Sequence, residues 1–138
     1  MKHAIVLTVV VAALAGCALE APDPAAGQRG CPVAGQARMT MLKMYFGRAA
    51  VSDVQWNEFR DRVIADAFPD GFTVYDAEGA WRPGPSAATG HERASVLEVA
   101  LPRGADVGPK ATQVAEAYKS RFAQLSVGVV TWTVCGGF

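Results

Sequence analysis

Between residues 39 and 134 the spacing of apolar residues changes repeatedly between two periods, and the order of these periods constrains the fold more than any other feature. Alternation of apolar and polar residues indicates β-strands, and repeats every three or four residues indicate amphipathic helices. The order β-α-β-β-α-β predicts a ferredoxin-like α+β fold, a four-stranded antiparallel sheet with two helices on one face. The predicted strands are 39–46, 72–75 (with an extension to 82 left open), 91–101 and 127–134.

Local sequence signals predict where the two helices begin and end. Ser52 is followed three residues later by Gln55, the spacing of a capping box, so we expect the first helix to begin there. Pro69 ends it, and Pro109 suits the first turn of the second helix. The predicted core-facing residues of the two helices are Trp56, Phe59, Val63, Ala67, Ala111, Val114, Tyr118 and Phe122.

The N-terminus has the pattern of a bacterial lipoprotein signal peptide, predicted over residues 1–16. A lysine precedes an apolar run from Ala4 to Ala15, which is shorter than the roughly 20 residues of a membrane-spanning helix. The run ends in Leu14-Ala15-Gly16-Cys17, a lipobox, so we expect acylation of Cys17. Ala18 follows, which in two-membraned bacteria favours the outer membrane, facing the periplasm. The alternative is an ordinary secretory cleavage site.

Residues 17–37 have the Ala-, Gly- and Pro-rich composition of a flexible tether, and one domain is predicted over 38–138. The cell envelope permits disulfides, and once Cys17 is assigned to lipid, Cys31 and Cys135 are the remaining pair. Two free thiols are the alternative. A ferredoxin-like sheet places its first and last strands side by side and antiparallel, which brings Cys135 close to Cys31.

Composition and missing motifs exclude several classes of function. The chain has 13 basic and 13 acidic side chains and no basic cluster, so we expect no nucleic-acid binding. One histidine, His91, remains after signal removal, and no CxxC pair is present, so neither a metal site nor a cofactor is expected. Glycine-rich phosphate loops and the common hydrolase motifs are absent, so the catalytic residues are unknown and enzymatic activity is not favoured.

Polar and aromatic residues near predicted strand ends form a candidate ligand-binding set. Arg48 and Arg82 are suited to hold a carboxylate or phosphate, with an aromatic ring on the apolar part of the ligand. The alternative to a ligand site, which we call the structural alternative, is that these residues serve the fold alone. In that case Arg48 and Asp70 form internal bonds, Glu92 pairs with an arginine and Trp81 covers the sheet. The candidate set is Tyr45, Arg48, Asp70, Trp81, Arg82 and Glu92.

An ordered run of short motifs extends along the predicted domain: Tyr45-Phe46-Gly47-Arg48, Phe68-Pro69-Asp70-Gly71, Thr73-Val74-Tyr75-Asp76-Ala77, Trp81-Arg82, Ser95-Val96-Leu97 and Tyr118-Lys119-Ser120-Arg121-Phe122. Over residues 39–134 this run resembles a bacterial family of small lipoproteins known only as domain of unknown function 3574. The resemblance implies an envelope lipoprotein and no particular chemistry. Two departures are the short loop before Ser52 and Ala94, where a more polar residue is expected.

Two functions are compatible with these patterns. The favoured one is a membrane-anchored envelope lipoprotein that acts as a small ligand-binding or interaction module of unidentified partner, with a homodimer through the sheet as a further option. The alternative is a small enzyme in which Tyr45 or His91 performs acid-base chemistry while Arg48 holds an anionic substrate. A single pocket containing Tyr45, Arg48 and Glu92 would favour a ligand site, and scattered positions would favour structural roles.

Overall fold

The computed structural model describes residues 30–82 and 84–138, and the elements follow the predicted order. The strands are β1 (Ala37–Gly47), β2 (Thr73–Trp81), β3 (Gly90–Pro102) and β4 (Gly128–Gly136), and the helices are α1 (residues 53–67) and α2 (Val107–Phe122). Within the described residues, no helix is long and apolar enough to cross a membrane. The predicted signal peptide, Cys17 and most of the predicted tether lie outside the described residues.

The sheet has the strand order β2-β3-β1-β4, and all three neighbouring pairs are antiparallel. Tyr45 of β1 lies opposite Val96 of β3 on one side and Gly128 of β4 on the other. Both helices connect strands that are not neighbours, as in the split β-α-β arrangement. The predicted ferredoxin-like fold is therefore confirmed.

The capping box at the start of α1 is formed as the sequence predicts. The Ser52 hydroxyl accepts the backbone N–H of Gln55 at 3.3 Å, and the Gln55 side-chain oxygen accepts the backbone N–H of Ser52 at 3.0 Å. Each residue thereby satisfies a donor that the first turn of the helix leaves without an internal partner.

One turn of α1 differs from the regular helix that the sequence predicts. Arg60–Ile64 forms a π-helical turn, in which the N–H of Ala65 bonds to the carbonyl of Arg60 five residues earlier. In this turn Ile64 is fully buried, while Val63 packs against the core but stays partly exposed, and Ala67 is buried as predicted. The prediction of Val63 as core-facing is therefore confirmed in part, and the burial of Ile64 was missed because a regular period cannot account for the bulge.

The core lies between the helices and one face of the sheet. Tyr118 is fully buried in an aromatic cluster and donates its hydroxyl hydrogen to the Gly47 carbonyl at 2.7 Å. Burial raises the pKa of Tyr118 to about 12, so the hydroxyl stays protonated and remains a donor. The core role predicted for the aromatic residues of both helices is confirmed. The largest buried residues of this layer are Leu42, Met44, Phe46, Trp56, Phe59, Ile64, Leu97, Val99 and Tyr118.

A disulfide links Cys31 to Cys135, with 5.5 Å between their Cα atoms. The β1–β4 register places Cys135 opposite Arg38, near the start of β1, as the predicted topology requires. The predicted pairing is confirmed. The bridge attaches the segment before β1 to the last strand.

Two surfaces of the sheet lack a covering layer within the described residues. The face opposite the helices, which we call the open face, carries exposed aromatic side chains from all but one of the strands. In addition, the helices pack over the central strands and do not cover β4. Residues 128–133 are therefore exposed on both faces of the sheet. A groove of about 690 Å³ runs between α2 and β4.

Candidate functional site

The open face contains a cleft of about 510 Å³ at the C-terminal ends of β1 and β2, which we call the open-face cleft. Tyr45 of β1 stands on one side and Trp81 of β2 on the other. Two rows of residues separate these rings along β3, and apart from Glu92 they contain only glycine and alanine, so the Glu92 side chain is the one large group between the rings. The residues of its floor are Gly47, Ala77, Gly79 and Ala94.

Glu92 supplies the carboxylate of the open-face cleft. Its Oε2 accepts the backbone N–H of Ala49 at 3.3 Å, and the side chain extends across Gly47. A Cβ atom at position 47 would lie 2.7 Å from Glu92 Oε1, which is too close for any side chain. Glycine at position 47 is therefore needed for the observed position of the carboxylate.

The two aromatic rings of the cleft lie over glycines of neighbouring strands. A Cβ atom at Gly128 would stand 3.1 Å from the Tyr45 ring, and one at Gly90 would stand 3.5 Å from Nε1 of Trp81. These glycines leave room for the rings to lie against the backbone, yet Tyr45 remains 45% exposed and Trp81 55% exposed. Both rings thus keep a large free surface for contact with another molecule.

Arg48 lies on the opposite face of the sheet, although it follows Tyr45 by only three residues. Successive strand residues point to alternate faces, so an odd separation places two side chains on opposite sides. The Arg48 guanidinium is buried and pairs with the carboxylates of Asp53 and Asp76, and it donates to the Ser95 hydroxyl at 3.1 Å. Both Nη atoms of Arg48 thus have internal partners, as in the structural alternative, while its buried Nε has no hydrogen-bond partner among the described residues.

Asp53 joins this cluster to a second arginine. Its carboxylate accepts hydrogen bonds from Arg93 at 2.7 Å and from Arg48, and these two guanidinium groups lower the pKa of Asp53. The carboxylate therefore stays charged at neutral pH beside the buried Arg48. A cleft of about 430 Å³ borders this cluster, but the cluster residues around it pair with one another and Arg60, which also lines the cleft, pairs with Asp61.

The remaining candidates, Asp70, Arg82 and His91, lie outside both the open-face cleft and the Arg48 cluster. Asp70 is in the exposed turn after α1, and Arg82 follows β2 and donates to the Thr89 hydroxyl at 3.0 Å. His91 is exposed and pairs with Glu78 at 3.0 Å, as expected of a surface histidine. No group of His, Cys, Asp and Glu residues among 30–82 and 84–138 is arranged to hold a metal ion.

Three of the six candidate residues, Tyr45, Trp81 and Glu92, thus line the same cleft, and neither the open-face cleft nor the cleft beside Arg48 contains Tyr45, Arg48 and Glu92 together. Sequence reasoning missed the small residues of the floor. The signal that pointed to them was Ala94, which departs from the expected polar residue, together with Gly79 inside a strand, where glycine often marks close approach by another group.

A family model described as "Protein of unknown function (DUF3574)" matches residues 41–138. The chain belongs to this family. The match includes the whole open-face cleft and the Arg48 cluster, and the predicted resemblance is confirmed. No curated protein matches the chain in sequence.

Two solved structures share the fold at low sequence identity. A phage SAM lyase in complex with S-methyl-5'-thioadenosine has a TM-score of 0.52 and 13% identity, covering 72% of this chain and 90% of the lyase. The GlnK–ATP complex of B. subtilis has a TM-score of 0.50 and 8% identity, covering 74% of this chain and 84% of GlnK. At these identities the likeness concerns the fold alone.

Proposed function

We propose that this protein is a lipid-anchored protein of the bacterial cell envelope whose domain binds a small cationic ligand in the open-face cleft. The observation that carries the ligand proposal is the half-buried Glu92 carboxylate, held over a floor of glycine and alanine residues in a cleft with an exposed aromatic ring at each end. Largely apolar concave sites with a few well-placed polar groups are the usual form of small-molecule sites.

The chemistry of the cleft favours a ligand with a positive charge and an apolar part. Glu92 attracts the charge, and the ring at either end of the cleft, Tyr45 or Trp81, attracts a cation through its π electrons, an interaction of about 0.5–2 kcal/mol. The nearest buried arginine, Arg48, is on the other face of the sheet and is neutralised by two carboxylates. An anionic ligand would therefore find no free guanidinium in this cleft.

The same geometry weighs against the enzymatic alternative. Tyr45 is on the open face, Arg48 is buried on the helix side, and His91 is at the surface beside Glu78. General acid-base catalysis needs its groups within hydrogen-bond reach of one substrate, and these three side chains do not face a common space. Binding is thus the better-supported activity.

Calorimetric titration of the full chain with choline tests the ligand class. We expect choline to bind at least tenfold more tightly than 3,3-dimethylbutanol, its uncharged analogue of the same shape, and Glu92→Gln to remove that difference. Glu98→Gln is the matched control, because Glu98 is on the same face but outside the cleft and paired with Lys43. Equal binding of choline and 3,3-dimethylbutanol would contradict a cationic ligand. Failure of the chain to bind both choline and the diamine cadaverine would contradict it as well.

The anchor is tested separately in a two-membraned bacterium. We expect the wild-type chain to incorporate labelled palmitate and to fractionate with the outer membrane, and Cys17→Ala to do neither. Cys31→Ala is the control, because it removes a different cysteine and should keep the label. Palmitate on the Cys17→Ala chain would overturn the lipoprotein assignment.

A further inference from the structure

The outer edge of β4 has no partner within the described residues. The β4 backbone pairs with β1 on one side only, and no other described segment forms backbone hydrogen bonds to it. Natural edge strands usually prevent pairing with another chain through charged side chains, prolines or bulges. β4 contains neither a charged residue nor a proline over Gly128–Gly136, and its residues pair with β1 without interruption.

The sequence of β4 is symmetric about its middle residue. Val130-Thr131-Trp132-Thr133-Val134 reads the same in both directions, and the strand as a whole begins and ends with glycine, at equal distances from Trp132. In an antiparallel pair centred on one residue, positions equally far from the centre lie opposite each other. Two copies of β4 paired about Trp132 would therefore match like with like along almost their whole length.

We propose that β4 is a homodimer interface, in which β4 of a second copy adds antiparallel to it about a two-fold axis at Trp132. The two sheets then form one continuous eight-stranded sheet. A two-fold interface must be self-complementary, since the same patch serves both partners. The sequence symmetry of β4 meets that condition, which is why a second copy fits this edge better than an unrelated strand.

The side-chain pairs of this arrangement suit both faces of the sheet. On the open face, Trp132 meets Trp132 of the second copy, and Val130 meets Val134. On the helix face, Thr131 meets Thr133. Aromatic, β-branched and Thr–Thr pairs are among the cross-strand neighbours that stabilise sheets. Val130 and Trp132 are 47% and 39% exposed in the monomer, so both have surface to bury.

Charge does not oppose the pairing. A cation close to the centre of this strand is Lys43, whose ammonium lies 5.7 Å from the Trp132 ring centre. Lys43 forms an ion pair with Glu98 on the same face, and that carboxylate also accepts a hydrogen bond from Tyr75 at 3.2 Å. The charge is thus balanced within each copy. The interface needs no ligand in the open-face cleft, so it stands independently of the proposed function.

Cysteine cross-linking of the full chain in its membrane tests the position of the axis. We expect Trp132→Cys to form an intermolecular disulfide through position 132, because the two copies of that residue lie directly opposite. Val130→Cys is the matched control, on the same strand and face, and it should not cross-link to itself, because its two copies are four residues apart. The double variant Val130→Cys/Val134→Cys should cross-link again.

The linked peptides are identified by mass spectrometry, which separates these bonds from any that involve the native cysteines. Equal cross-linking of the Trp132→Cys and Val130→Cys chains, or none in either, would overturn the proposed register. A second measurement does not depend on new cysteines: sedimentation of the detergent-solubilised full chain should give a dimer, and Trp132→Glu should give a monomer with unchanged circular dichroism. A wild-type chain that sediments as a monomer would overturn the interface. A complex in which a different protein pairs with β4 would overturn it as well.

Discussion

Arg48 is a charged side chain that the fold buries almost completely, and its partners come from three elements. Asp53 begins α1, Asp76 is in β2 and Ser95 is in β3, so one guanidinium joins the helix layer to two strands. The guanidinium also lies 5.3 Å from the ring centre of Trp56. The Asp53 and Asp76 side chains are 66% and 74% exposed, whereas the Arg48 side chain is only 2% exposed, so the arginine carries the buried charge of the cluster.

This difference in burial predicts that replacing the aspartates of the cluster costs more stability than replacing the arginine. Asp53→Asn/Asp76→Asn leaves a buried cation without a counter-ion, and we expect it to lower the free energy of unfolding by about 3–5 kcal/mol. Arg48→Met leaves only solvated carboxylates and keeps contact with Trp56, so its cost should be smaller. Urea denaturation at pH 7 compares the two. A larger loss for Arg48→Met would contradict the assignment of the buried charge.

The lowered pKa of Asp53 predicts a dependence of stability on acid pH. The folded-state pKa is below the unfolded value because Arg93 and Arg48 donate to the carboxylate. The stabilisation is therefore complete above about pH 4 and is lost as the pH falls through the folded-state pKa. We expect Asp53→Asn to flatten this part of the stability curve, measured by urea denaturation between pH 2 and 6. A curve parallel to that of the wild-type chain would contradict the assignment.

At the scale of an element, α1 shows how a local irregularity changes which residues form the core. The capping box follows from two residues three positions apart, so the sequence was sufficient to predict it. The π-helical turn at Arg60–Ile64 has no comparable local signal, and it replaces Val63 by Ile64 in the buried stripe. The helix period therefore predicted the buried residues Trp56, Phe59 and Ala67 correctly and missed only Ile64 in the π-helical turn between them.

The shifted stripe predicts unequal costs at two adjacent positions. Ile64→Ala should lower the free energy of unfolding by about 2–5 kcal/mol, since it opens a cavity in the core, whereas Val63→Ala should cost clearly less. Thermal and urea denaturation of both variants provide the comparison. A regular α-helix through this region would give the reverse order.

At the scale of the molecule, the Cys31–Cys135 disulfide closes the domain on itself. The cysteines are 104 residues apart in sequence, and the bridge joins the segment before β1 to the end of the strand beside it. It adds a covalent link to an edge strand that the helices do not cover. The domain therefore depends on an oxidising environment for part of its stability, which agrees with the proposed envelope location.

Removal of this bridge is expected to destabilise the whole domain. Cys31→Ser/Cys135→Ser should lower the free energy of unfolding by about 2–5 kcal/mol, because the unfolded chain regains the entropy of an open loop. Urea denaturation of the wild-type chain with and without a reductant is the companion measurement, and reductant should have no effect on the double variant. Equal stability of the oxidised and reduced wild-type chains would contradict this role.

The sequence by itself determined the order of elements and the capping box, because periodicity and capping are local. It predicted the cysteine pair only on the assumption that Cys17 carries lipid, with two free thiols as the alternative, and the structure decided between them. Arg48 follows the end of β1, so alternation along that strand did not predict which face its side chain would take. Only the tertiary structure decided which distant groups meet. The partners of Arg48 lie 5, 28 and 47 residues along the chain, and the floor between Tyr45 and Trp81 is made by strand register. Register and helix placement depend on the packing of the whole core, which no local pattern encodes.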